Sequence, residues 1–171
     1  LFAHVNLDVI PGTPRSPKQD PEAAAVASDV NLQRMIDAGL KPMPVYHQGE
    51  SMKWLIKMLD DGHDYIGISP SDRAPTRLRE RWLNRVFTVL CDGNGRPYVK
   101  THGFGVTSPK VLTQYPFYTA DSTTWMVLSG HGRSFIPAKN ADGSWNFGRQ
   151  KHFIFSDESH KTPGPQVRQL G

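Results

Sequence analysis

Short apolar runs alternate with longer helical patterns along this chain. That alternation restricts it to folds built from β/α units around a parallel sheet. The apolar runs fall at residues 3–10, 43–47, 64–69, 97–103 and 117–121. The first long helical span runs from Pro21 to about Ala38, with Asp20 placed to cap it, Pro21 at its first position and Gly39 to end it. A second runs from about Glu50 to Asp61, stopped by Gly62, with Met52, Leu55, Ile56 and Leu59 on one face. A third covers about 75–91, where Leu78, Trp82, Val86 and Leu90 form an apolar stripe. Ser108 and Pro109 open a shorter helix with Val111, Leu112 and Tyr115 expected to face inward. Beyond residue 130 the pattern changes. Phe135-Ile136 and Trp145 to Phe155 flank Ala141-Asp142-Gly143, which predicts a β-hairpin. The segment from Lys161, with Pro163, Gly164 and Pro165, reads as a mobile tail. Residues 1–130 are thus expected to form a β/α domain, and 131–171 a hairpin and tail.

Each apolar run closes on a polar residue and opens a loop: Asp8, His47-Gln48-Gly49, Ser69-Pro70, His102-Gly103-Phe104 and Asp121. A β/α protein places its chemistry at the carboxyl ends of its strands. Asp8-Val9-Ile10-Pro11-Gly12 lacks the glycine pattern that binds a dinucleotide, and no phosphate-cradling GxxxxGK loop is present, so no cofactor is implied. The polar strand ends favour a (β/α)8 TIM-barrel type of α/β fold, of which about five β/α units are present. A complete barrel takes about 250 residues. The expectation is that about three strands lie upstream of Leu1.

With 171 residues the chain makes one domain or part of a larger one. Its one cysteine, Cys91, excludes a disulfide framework and a cysteine-rich zinc site, and fits a reducing, cytoplasmic setting. No apolar run approaches the roughly 20 residues that span a bilayer. The formal net charge of +4 permits a polyanionic partner. Arg73, Arg77, Arg79, Arg81 and Arg85 form one basic group, and Arg133, Lys139, Arg149 and Lys151 another. Either is a phosphate-binding patch or a solvated surface.

The strand-end residues each allow more than one role. Asp8 can accept two hydrogen bonds from an amidine-like edge such as that of a guanine-type base, or can cap its loop. His47 can be a metal ligand, a proton carrier or a core histidine. Gln48 carries a donor and an acceptor for a base edge, and Gly49 admits close approach of a ligand. The small residues around Ser69 leave space and backbone amides. Gly103 permits a tight bend beside His102, while Phe104 can stack on a ring or fill the core. Asp121 can attack an anomeric carbon, bind a metal, or cap a following helix through Thr123 or Thr124.

The order of these motifs resembles the tRNA-guanine transglycosylase superfamily, including the phage and bacterial relatives that put 7-deazaguanines into DNA. The resemblance spans roughly residues 3–125. Val5-Asn6-Leu7-Asp8 is similar to the family strand whose terminal aspartate binds the base. Val45-Tyr46-His47-Gln48-Gly49 is similar to a strand ending in Val-Gln-Gly-Gly, where the glutamine reads the base. Tyr65-Ile66-Gly67-Ile68-Ser69 falls at a glycine-rich strand end. Gly103-Phe104-Gly105-Val106-Thr107-Ser108-Pro109, a short helix and Phe117 to Asp121 resemble Met-Gly-Val-Gly-Thr-Pro, a short helix and a strand ending in Phe-Asp-Cys. The resemblance implies that Asp121 is the nucleophile. It also implies that Asp8 and Gln48 read the base and that the general base lies upstream of Leu1; His47, Gly49, Ser69, His102, Gly103 and Phe104, at the same strand ends, are the other candidates to line the base site.

Ser122 stands where the family has cysteine, Thr123-Thr124-Trp125 replaces Pro-Thr-Arg, and the cysteine-rich zinc subdomain is absent. These departures turn the expectation from tRNA toward DNA. The implied partners are therefore DNA or tRNA and a 7-deazaguanine base, with either a second copy or an upstream barrel half completing the fold. Two other readings stay open. One is a metal-dependent hydrolase using Asp8, His47, His102 and Asp121. The other is a non-catalytic nucleic-acid-binding module with open strand edges.

Overall fold

The computed structural model describes residues 4–11, 20–71, 74–106, 108–123, 126 and 130–154, without the side chains of 135, 147, 148 and 150–154. Arg73, Thr124, Trp125, Phe155, the tail from Lys161, most of the Pro11–Pro17 loop and the side chain of Lys151 lie outside that description.

The chain folds as an α/β protein with parallel sheets. Strand β1 (His4–Val5) pairs with β2 (Pro42–Met43). Then β3 (Val45–His47) pairs with β4 (Tyr65–Ser69), β4 with β5 (Lys100–Gly103), and β5 with β6 (Thr119–Ala120), all parallel. Pro44 explains why one predicted strand becomes two short ones: it has no N–H to give a ladder. Its carbonyl still accepts from Gly67 N–H at 2.8 Å, and Met43 O accepts from Asn6 N–H at 3.0 Å, so pairing continues across the break. Neighbouring strands follow chain order, without the reversal that marks a doubly wound sheet.

Helices α1 (Pro21–Asp37), α2 (Met52–Asp60) and α3 (Thr76–Leu90) connect these strands. Asp20 caps α1 as expected, accepting from Glu22 N–H at 2.9 Å. The main core lies between sheet and helices. Tyr46, Ile66 and Ile68 from the strands meet Leu55 of α2 and Trp82, Leu83, Val86, Phe87 and Leu90 of α3. Each fully buried aliphatic side chain there contributes about 1.5–3 kcal/mol. Polar contacts tie neighbouring helices together. Trp54 Nε1 donates to Glu22 at 3.1 Å, and Lys57 Nζ to Asp29 at 2.9 Å.

Helix α4 (Pro109–Gln114) docks through Tyr115, whose hydroxyl donates to Asn84 Oδ1 at 2.7 Å and whose ring stacks on Phe87. Beyond residue 130, β7 (Arg133–Lys139) and β8 (Trp145–Ile154) form the predicted antiparallel hairpin.

Several expectations need correction. Ile56, Leu78 and Leu112 are exposed, because each sits at the edge of its apolar stripe and the sheet takes only the centre. Ser108 precedes α4 without a side-chain cap. The ladders of β1, β5 and β6 are also shorter than the apolar runs that predicted them.

Candidate active site

Strand alternation sorts the side chains into two sets. Tyr46, Ile66, Ile68 and Thr101 turn to the helices. His47, Tyr65, Gly67, His102 and Thr119 turn to the opposite face, and the register brings them together: Gly67 pairs with His102, and His102 with Thr119. Because the strands are parallel, His47, Gln48, Ser69, His102, Phe104 and Asp121 lie at the carboxyl ends of β3 to β6, and Asp8, beyond the end of β1, meets His47 there.

One group is centred on His47. Its Nε2 is 2.8 Å from Asp8 Oδ2, and its Nδ1 is 3.4 Å from Glu50 Oε1. The latter is a long contact, without hydrogen-bond geometry. Glu50 is also held from below, its Oε2 accepting the main-chain N–H of His47 at 3.0 Å. The side chains of His47 and Glu50 are 4% and 1% exposed, against 22% for Asp8. Burial alone would lower the pKa of His47. The bond to Asp8, the contact with Glu50 and the charge of both carboxylates outweigh burial and raise it to about 9. At neutral pH the ring is an imidazolium between two acids. The turn that folds Glu50 back under His47 needs Gly49, whose φ of 115° is a left-handed value that side chains resist.

Gln48 spans to the next loop. Its Oε1 accepts from Ser71 N–H at 3.0 Å, and its own N–H donates to Ser69 O at 2.9 Å. The bond from Ser71 orients the side-chain amide, whose carbonyl keeps a second acceptor site and whose NH2 carries two donors.

The second group is centred on His102. Its Nδ1 is 2.7 Å from Thr119 Oγ1, which also meets the Tyr65 hydroxyl. Its Nε2 faces Asp121 Oδ2 at 3.7 Å. The other oxygen of Asp121 accepts from Gly105 N–H at 3.0 Å, and Asp121 N–H donates to Gly103 O at 3.1 Å. Asp121 is thus a strand-end carboxylate tied to the β5 loop, with its side chain 60% exposed; its expected cap of a following helix through Thr124 lies outside the described residues.

Phe104 lies over Gly67, beside His102. A Cβ on Gly67 would come within 2.6 Å of its ring, so the ring rests on the space that Gly67 leaves. His102 meets the same ring edge-on, with centroids 4.5 Å apart. Gly103 is packed differently: a Cβ there would meet Val106 and Phe117 at 3.0–3.1 Å. The two groups do not form a common metal site. Asp8 and Glu50 approach opposite nitrogens of one ring, and among the described residues no three His, Cys, Asp or Glu side chains converge.

Of the basic residues, Arg77 is exposed in the first turn of α3, the helix that follows the carboxyl end of β4. Arg133, Lys139 and Arg149 are exposed on the hairpin, with Lys139 Nζ 5.0 Å from the centre of the Trp145 ring. No helix among the described residues is long and apolar enough to cross a membrane.

Sequence reasoning missed Glu50, Gly67, Gly105, Thr119 and Tyr65. The signal for Glu50 was its place just past a glycine turn beside a histidine. The other four needed the cross-strand register.

Comparison with protein-family models, curated proteins and solved structures gave no match to this chain.

Proposed function

We propose that this chain is a base-exchange transglycosylase acting on nucleic acid, with Asp121 as the nucleophile and DNA as the favoured polymer over tRNA. The observation that carries the reading is the setting of Asp121. It stands exposed at a strand end, oriented by Gly105 N–H and flanked by His102, on the same end of the sheet as Asp8 and Gln48. The sheet supports the barrel form of the fold, since its parallel strands follow chain order.

In the reaction, a carboxylate oxygen of Asp121 bonds to the anomeric carbon while the bond to guanine breaks. Guanine leaves with the bonding pair and takes up one proton from water, which is restored by the proton the incoming base gives up. A 7-deazaguanine then gives up its ring N–H proton, attacks the same carbon and releases the carboxylate. Asp8 and the Gln48 amide contact the base edge, and Phe104 offers it a face. The target nucleotide must leave its stack to reach Asp121. Arg77, Arg133, Lys139 and Arg149 contact phosphates.

The test is incorporation of labelled 7-deazaguanine into DNA, and separately into tRNA, by the full chain. Wild-type protein is expected to transfer label to one polymer and Asp121→Ala to transfer none. Equal incorporation by both proteins would refute the mechanism.

A further inference from the structure

We infer that His47, backed by Glu50, is a positioning residue that holds Asp8 as a fixed acceptor for a ligand edge carrying N–H donors. The identity of that ligand rests on the base-exchange reading. The clamp itself rests on geometry.

The backbone around Asp8 is fixed first. Asn6 Nδ2 donates to Ser28 O at 2.9 Å, Val9 N–H to Ser28 Oγ at 2.7 Å, and Asn31 Nδ2 to Leu7 O at 2.8 Å. All three partners lie on α1, so the segment keeps its place after its ladder ends. The side chain is fixed next, by His47 Nε2 on Oδ2. Glu50 in turn backs His47, accepting its main-chain N–H at 3.0 Å and facing its ring at 3.4 Å, and the His47 side chain is only 4% exposed. Among the described residues, the titratable groups facing the ring are Asp8, from the loop after β1, and Glu50, from the turn after β3.

This arrangement is costly for a merely structural element. Buried charges lose hydration, and apolar packing of the same volume is often as stable. Of the three side chains, Asp8 is the one that reaches solvent. Its second oxygen is therefore held where a ligand can meet it. Because the carboxylate only accepts, the edge it selects must donate. Deprotonation removes the ring's charge, and with it the charge assistance of the bond that fixes Asp8.

The test is binding of free 7-deazaguanine to the full chain between pH 6 and 10, with wild type, His47→Gln, Glu50→Gln and Asp8→Asn. Wild-type affinity is expected to fall above about pH 9. That limb should move to lower pH in Glu50→Gln and shrink to the probe's own titration in His47→Gln, which should bind at least tenfold more weakly at pH 7. Asp8→Asn should bind weakest. The probe's own titration is common to all four, so differences between profiles report the protein.

Wild-type affinity in His47→Gln, or an unmoved limb in Glu50→Gln, overturns the inference. Should His47→Gln fail to fold, NMR of the wild-type His47 ring decides. Adding the base should shift its Nε2–H resonance, and an unshifted resonance in the bound protein overturns the inference. Label exchange with normal His47 variants would remove this inference alone. Histidine-dependent binding without exchange would remove the mechanism alone.

Discussion

The backbone N–H of Gly105 and the carboxylate of Asp121 are joined at 3.0 Å across the β5 and β6 strand ends. This bond fixes one oxygen of the carboxylate and leaves the other toward His102. Asparagine keeps an acceptor for Gly105, whereas alanine removes it. Asp121→Asn should therefore melt with the wild type, and Asp121→Ala should lose about 0.5–1.5 kcal/mol. Both should lose base exchange by about 10³-fold or more, as expected when a covalent nucleophile is removed. Calorimetry with a label-transfer assay checks both halves.

Gly67 and Phe104 give a second prediction. Alanine at 67 places a methyl within 2.6 Å of the ring and 3.2 Å from Val45. The half-buried ring can swing aside, so Gly67→Ala should cost about 1–3 kcal/mol. The larger effect should be on the site, where base affinity falls because the ring has moved. Thermal melts and base titration separate the two.

The charge of His47 makes stability depend on pH. The folded ring has a pKa of about 9 against 6.5 for the ordinary side chain. The folded state therefore holds the proton more tightly, and its stabilisation is complete below pH 6.5. It is lost as pH rises through 9. At about 1.4 kcal/mol per pH unit, the loss is of the order of 3 kcal/mol. Urea melts between pH 6 and 10 should show this decline in wild type, and a flatter profile in His47→Gln.

Much of the fold was legible because its signals are local. Gly39 and Gly62 end helices where predicted, and Asp20 caps α1. The hairpin turn at Asp142-Gly143 is also where the sequence placed it. What the sequence hid depends on contacts between distant segments. Glu50 read as the first residue of a helix, yet it is a buried partner of His47. Thr119 read as an ordinary strand residue, yet it bridges Tyr65 and His102, because register decides which side chains meet. Gln48 illustrates the same point. Its donor and acceptor were both legible, but not that Ser71 N–H bonds to the acceptor and orients the amide.

Thr119 supplies the fourth prediction. Thr119→Val keeps the shape of the side chain and removes the hydroxyl shared by Tyr65 and His102. Stability should fall by about 1–3 kcal/mol, since two part-buried polar groups lose a partner. The His102 ring should lose its fixed orientation, visible as a change in its Nδ1 resonance, with slower base exchange.

The basic residues are tested through salt. Arg77→Ala and Arg133→Ala should each lower the slope of log affinity for DNA against log salt by about 1. An unchanged slope would mean that these side chains are solvated surface.

The most direct measurement is the covalent intermediate itself. The full chain is incubated with a guanine-containing oligonucleotide without any acceptor base, denatured, and analysed by mass. The account predicts an adduct equal to protein plus oligonucleotide minus guanine, mapped by proteolysis to Asp121 and absent from Asp121→Asn. An adduct on another residue, or equal adduct in Asp121→Asn, would contradict it.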